Sequence, residues 1–186
     1  MQSGQGGIRW NSTTKTIQLM DENKNWVNWS YYNPTSPVSL IPTDINSNSY
    51  RRADGVTITL THSGGNLLTE PYMAFKLNNN YYQAANTATF TIEFSIPQVI
   101  TSFQFYNYSS NSTAVNILVQ SSVDGSTYKD LMTYRDSGAN GRLEIISLSN
   151  PSAVKYFRLM QNSGGNYSNT YSFYRDATLY GYSYSA

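Results

Sequence analysis

The chain has 186 residues, of which only 12% are charged, and 12 lysines and arginines against 11 aspartates and glutamates leave a formal net charge of +1. That balance sets up no field to steer nucleic acid or an anionic membrane, and the absence of cysteine excludes disulfides and thiolate metal sites. No run approaches the roughly 18 apolar residues of a membrane span, and the opening MQSGQGGIRW lacks the apolar segment expected of a secretory signal.

The length suits one domain with an appendage, or two small domains. In residues 1–32, TIQLM and NWVNW flank the polar turn DENKN, which predicts a β-hairpin with Trp10, Trp26 and Trp29, all the tryptophans of the chain, around it. A two-stranded hairpin is marginal alone, so it must pack on the main domain or on copies of itself. Residues 33–55 carry three prolines and many turn formers and read as a connector.

From 56 to 186 the hydrophobic period is two. VTITLTHS predicts a strand, and TFTIEFSI places Phe90, Ile92, Phe94 and Ile96 on one face and Thr89, Thr91, Glu93 and Ser95 on the other. Pro97 is expected to end that run before TSFQFYNY begins with Phe103 and Phe105 inward. AVNILVQSS follows with Val115, Ile117 and Val119, and VDGS supplies a hairpin turn at Asp124–Gly125. GRLEIISLS, VKYFRLMQ and ATLYGY are further strands, and no segment has the period of an amphipathic helix. Many strands at near-regular spacing mean an all-β antiparallel sandwich or barrel.

Chemistry-bearing residues are sparse. His62 is the one histidine, no nucleophile motif frames a serine, and the carboxylates are scattered through loops and hairpins, so the chain is read as no enzyme. What stands out is NSGGNYSNTYSFYRD at 162–176, where rings alternate with glycines and amides. Such rings either fill space between strands or form a surface that meets something flat and polar.

Five stretches in order resemble a discoidin-type domain, also called the coagulation factor 5/8 type C fold and used as a carbohydrate-binding module. They are YMAFKLNNNYY, TFTIEFSIPQVITSFQFYN, ILVQSSVDGSTYKDL, VKYFRLM and DATLYGY, with the strand, Ser-x-Asp-Gly and aromatic of the third the most specific. The resemblance implies a galactose-binding-like jelly roll of about eight strands that binds ligand with loops at one end, here 63–82, 106–113 and 162–176. Stacking rings would come from Tyr81, Tyr82, Tyr108, Tyr167, Tyr171 and Phe173, with Asn111, Asn169 and Arg175 fixing hydroxyls. Many such domains hold a structural calcium, but here Lys76 stands where the family has aspartate, while Asp176 matches its closing glutamate. Either Lys76 pairs with Asp176 in place of the ion, or the register is off by one and Lys76 is solvated; no metal and no cofactor is expected.

The stretch IRWNSTTKTIQLMDENKNWVNW is similar to a short segment of bacteriophage tail and fibre proteins, where the hairpin sits at a symmetric junction, often a trimer. Trp10, Trp26 and Trp29 would then be buried between copies; otherwise the hairpin folds down on its own jelly roll. Together the resemblances imply a receptor-binding virion protein, extracellular after release, whose partners are a host cell-surface polysaccharide and other virion proteins. Two alternatives stand beside this: a structural virion component, and a sugar-binding module of a bacterial secreted enzyme.

Overall fold

The computed structural model describes residues 36–65, 67–77, 80–85, 88–107, 116–139, 141–162 and 171–183 (84–85, 162 and 171–173 by backbone alone), together with the backbone of three N-terminal strands. Those strands are β1 (Ile8–Asn11), β2 (Thr16–Met20) and β3 (Trp26–Trp29), an antiparallel sheet in the order β1-β2-β3. The expected hairpin is thus the second half of a meander, because IRWN also pairs along TIQLM, Trp10 opposite Ile17. The side chains of Trp10, Trp26 and Trp29 lie outside the described residues.

The remaining described strands form a β-sandwich. They are β4 (Val38–Ser39), β5 (Ser49–Arg51), β6 (Thr57–Ser63), β7 (Tyr81–Ala85), β8 (Thr89–Asn107), β9 (Asn116–Ser122), β10 (Lys129–Arg135), β11 (Leu143–Ser147), β12 (Ala153–Asn162) and β13 (Tyr171–Tyr182), with one 3-10 turn at Pro71–Ala74. The long β8 belongs to both layers. Its first part pairs with β6 and β12, which continues the front sheet through β9 to the edge strand β10. Its last part pairs with β11 and β13 in the back sheet, where β7 and β4 lie along the far side of β13.

Pro97 therefore bends the strand without ending it, contrary to the sequence expectation. Between the pairs Glu93–Tyr156 and Gln98–Val154, four residues of β8 face the single Lys155, and a proline without an N–H fits such a bulge. The buried Gln98 stitches the corner by donating its amide N–H groups to the carbonyls of Ile96 (2.9 Å) and Pro97 (3.0 Å). Beyond the corner the inward parity changes from Ile100 to Phe103 and Phe105, because pairing with β13 slips by one residue there.

The core between the layers is aromatic. Phe90 and Phe94 from β8, Phe103 and Phe105 beyond the corner, Phe157, Tyr82 and Phe75 are all fully buried. Tyr174 is buried among them, its ring centroid 4.8 Å from Phe105, 5.7 Å from Phe103 and 5.8 Å from Tyr82. Each such ring contributes on the order of 1.5–3 kcal/mol by leaving water. Leu40, Ile41 and Ile45 are as deeply buried, so the segment read as a connector enters the sandwich from Val38 onward.

The expected turn at Asp124–Gly125 is present. Asp124 Oδ1 accepts the N–H groups of Ser126 (2.8 Å) and Thr127 (2.9 Å), and Gly125 adopts φ +76°. A side chain at Gly125 would also meet the ring of Tyr156, 2.8 Å from Cζ, so glycine is required there twice over.

Candidate functional site

Strand register decides which loop-bearing ends meet. In the front sheet Ser63 of β6, Thr89 of β8 and Met160 of β12 lie side by side, and one step on Asn162 faces Asn116 of β9. In the back sheet Asn107 of β8 faces Tyr174, and Ala85 of β7 faces Tyr171. Two contacts tie the sheets at this end: His62 Nδ1 lies 2.6 Å from Tyr82 Oη, and Asn107 Nδ2 donates to Asp136 Oδ2 at 3.2 Å. The strand ends that lead into 63–82, 106–113 and 162–176 thus share one end of the sandwich.

Across the back sheet at this end runs a row of paired positions, Leu143 on β11, Tyr106 on β8, Arg175 on β13 and Tyr81 on β7. Phe105 and Asn107 are buried, so Tyr106 between them points outward and is 37% exposed. The Arg175 guanidinium carbon lies 5.7 Å from the centroid of the Tyr106 ring, within cation–π range. Leu68 and Leu77 are exposed on the segment that leads into β7. The backbone holds the former in place, since the Leu68 N–H donates to the Gln83 carbonyl at 3.0 Å. Ring faces and a guanidinium in one row can stack on the apolar face of a sugar ring and donate to its hydroxyls.

The expected site residues divide on this geometry. Tyr81 and Arg175 are brought together as neighbours in one row. Tyr82 is corrected: it is 1% exposed, stacks in the core and offers no free face, since alternation along β7 turns it opposite to Tyr81. Tyr171 and Phe173 are β13 residues opposite Ala85 and Gln83, with side chains outside the described residues. Tyr108, Asn111, Tyr167 and Asn169 also lie outside the described residues.

The pairing of Lys76 with Asp176 is corrected as well. The carboxylate lies beside its own neighbour, with Arg175 Nε 3.7 Å from Asp176 Oδ2. Asp176 sits at φ +46°, in the left-handed region, where the β13 register slips against β8 between Arg175 and Thr178. Among the described residues no group of three or more histidines or carboxylates is placed to hold a metal, and no helix is long and apolar enough to cross a membrane.

Tyr106 is absent from the residues that the sequence singles out for this end. For Tyr106 a signal existed, because alternation from Phe103 and Phe105 puts it on the outer face.

No family model matches the chain, and no curated protein matches it. Solved structures do. A pectin-binding carbohydrate-binding module aligns at TM-score 0.54 and 17% identity, over 65% of this chain and 88% of its own. The family 32 module of AlyQ, in complex with 4,5-unsaturated mannuronic acid, aligns at 0.55 and 16%, over 70% and 96%. An F5/8 type C domain from Bacteroides fragilis aligns at 0.50 and 13%, over 66% and 91%. The fold is that of the carbohydrate-binding, discoidin-like β-sandwiches. In a longer AlyQ chain that joins such a module to an alginate lyase domain, the match covers 69% of this chain and 33% of the other.

Proposed function

We propose that this chain is a non-catalytic carbohydrate-binding module of a bacteriophage tail or fibre protein, and that it recognises a host surface polysaccharide. The observation that carries the reading is the row of Tyr81, Arg175 and Tyr106 at the loop end of a sandwich shared with sugar-binding modules. Tyr108, Asn111, Tyr167, Asn169, Tyr171 and Phe173, in the segments leading from that end, complete the proposed site. His62, the one histidine, is engaged with the buried Tyr82.

In this reading the N-terminal sheet with Trp10, Trp26 and Trp29 attaches the module to other virion proteins or to two further copies in a trimer. Several sites on one fibre would raise a weak single-site affinity by orders of magnitude. A module of a bacterial secreted enzyme is the second reading, favoured by the AlyQ chain in which a similar module sits beside a lyase domain.

A glycan array probed with the wild-type protein and a Tyr167→Ala/Tyr171→Ala double variant tests the proposal. Saturable binding lost in the variant is expected. An absence of wild-type binding at high concentration would overturn it in favour of a structural virion role, and sedimentation of the same sample as a monomer would overturn the trimer.

A further inference from the structure

A second polar array lies on the outer face of the front sheet, two residues in from the Ser63, Thr89 and Met160 line at the loop end. Register places Thr61, Thr91, Arg158, Gln120 and Asp130 in one line across β6, β8, β12, β9 and β10. Arg158 is fixed from two sides. Its guanidinium carbon lies 3.4 Å from the centroid of the Tyr128 ring, and its Nε–H donates to Gln120 Oε1 at 2.8 Å. Gln120 is itself buried and held, donating through Nε2 to Asp130 Oδ1 at 2.6 Å.

This bracing leaves the useful edge of the guanidinium unspent. Among the described residues the ion pairs are Arg52–Asp54 and Arg175–Asp176, and the two Nη atoms of Arg158 have no acceptor there and are not among the buried atoms without partners, so they reach solvent. Asp130 is engaged with Gln120, and Glu93 on the neighbouring row accepts from Tyr156 Oη at 2.9 Å. A charged residue serving only as a stitch would turn its terminal N–H groups to one of these carboxylates. Here, among the described residues, they are bonded to neither, and Thr91 and Thr61 follow in the same line.

We infer that Arg158 is a second glycan contact, selective for a carboxylate-bearing sugar. The planar fork matches a carboxylate with two parallel hydrogen bonds. Stacking on Tyr128 and the bond to Gln120 have already removed the rotamer freedom that a free arginine would lose on binding. Thr61 and Thr91 in the same line supply hydroxyls for the sugar ring. The inference rests on the carbohydrate reading for the class of ligand, and adds to it a site and a charge.

The test is a titration of the isotope-labelled full chain with tetragalacturonate, and separately with its carboxyl-reduced neutral counterpart, followed by NMR. Saturable shifts are expected at the Arg158 side-chain Nε and the adjacent β12 amides with the acidic oligomer, and not with the neutral one. Arg158→Gln is expected to remove them, and Arg158→Lys to weaken binding about tenfold, because charge remains but the fork is gone. The wild-type titration decides even if a variant folds poorly. Shifts confined to Tyr81, Tyr106 and Arg175 would overturn this inference and leave the loop end reading intact. Shifts at Arg158 alone would support it while removing the loop end site.

Discussion

Tyr81 and Tyr82 are chemically identical neighbours that strand alternation sends to opposite sides of β7. Tyr82 is buried against Phe90, their ring centroids 4.9 Å apart, whereas Tyr81 is half-buried in the outer row. Tyr82→Ala is therefore expected to cost roughly 3–5 kcal/mol of stability, as for other large buried rings. Tyr81→Ala is expected to cost under about 1 kcal/mol and to act on sugar binding instead. Denaturant melts of both variants check the contrast. Adjacent tyrosines in YYQAA do not reveal which is which until pairing fixes the phase.

Three described carboxylates, Asp54, Asp124 and Glu144, are held below their ordinary range and make the fold sensitive to acid. Asp124 is held down to about 2 by the backbone N–H groups of Thr127 and Ser126 and by the Ser122 hydroxyl. At Glu144 burial pushes upward, but hydrogen bonds from Ser137 and Tyr134 and the Arg142 charge outweigh it and hold the carboxyl below its ordinary range. A depressed carboxyl contributes stability above its unfolded pKa and loses it as pH falls through the folded one. The thermal midpoint should accordingly fall between about pH 4 and pH 2, and Asp124→Asn should flatten part of that slope while lowering the midpoint at neutral pH.

Among the elements, β13 holds the back sheet together, since β8, β7 and β4 all pair with it. It approaches its neighbours so closely at Gly181 that an added Cβ would overlap the Val99 carbonyl oxygen and sit 2.7 Å from Leu40 Cδ1. Gly181→Ala should cost at least about 2 kcal/mol by overpacking. In a chain of this size that is a fall of roughly 4–8 °C in Tm, measurable by calorimetry. The strands themselves were legible in the sequence, because TFTIEFSI and the FRLM of VKYFRLM alternate cleanly. The passage of β8 through Pro97 was not, since a proline in a bulge and a proline at a strand end look alike without the partner strand. The proline-rich 33–55 hid Leu40, Ile41 and Ile45 for a similar reason: a core residue on an irregular segment has no period to betray it.

For the molecule as a whole, those three buried residues move the boundary of the sandwich upstream of residue 56. A chain starting at Ser36 should fold cooperatively, while one starting at Val56 should lose most of its stability, because it lacks β4, β5 and their core side chains. Circular dichroism melts of the two chains check this.

Under the proposed function, the loop end of the sandwich binds a sugar through the row of Tyr81, Arg175 and Tyr106. Isothermal titration with the glycan that binds best on the array tests it most directly, comparing wild type with a Tyr106→Ala/Arg175→Gln double variant of unchanged Tm. Loss of a stacking ring and a charged donor predicts binding at least about tenfold weaker in the variant. Equal affinity in the two proteins would contradict the claim and place the site elsewhere on the sandwich.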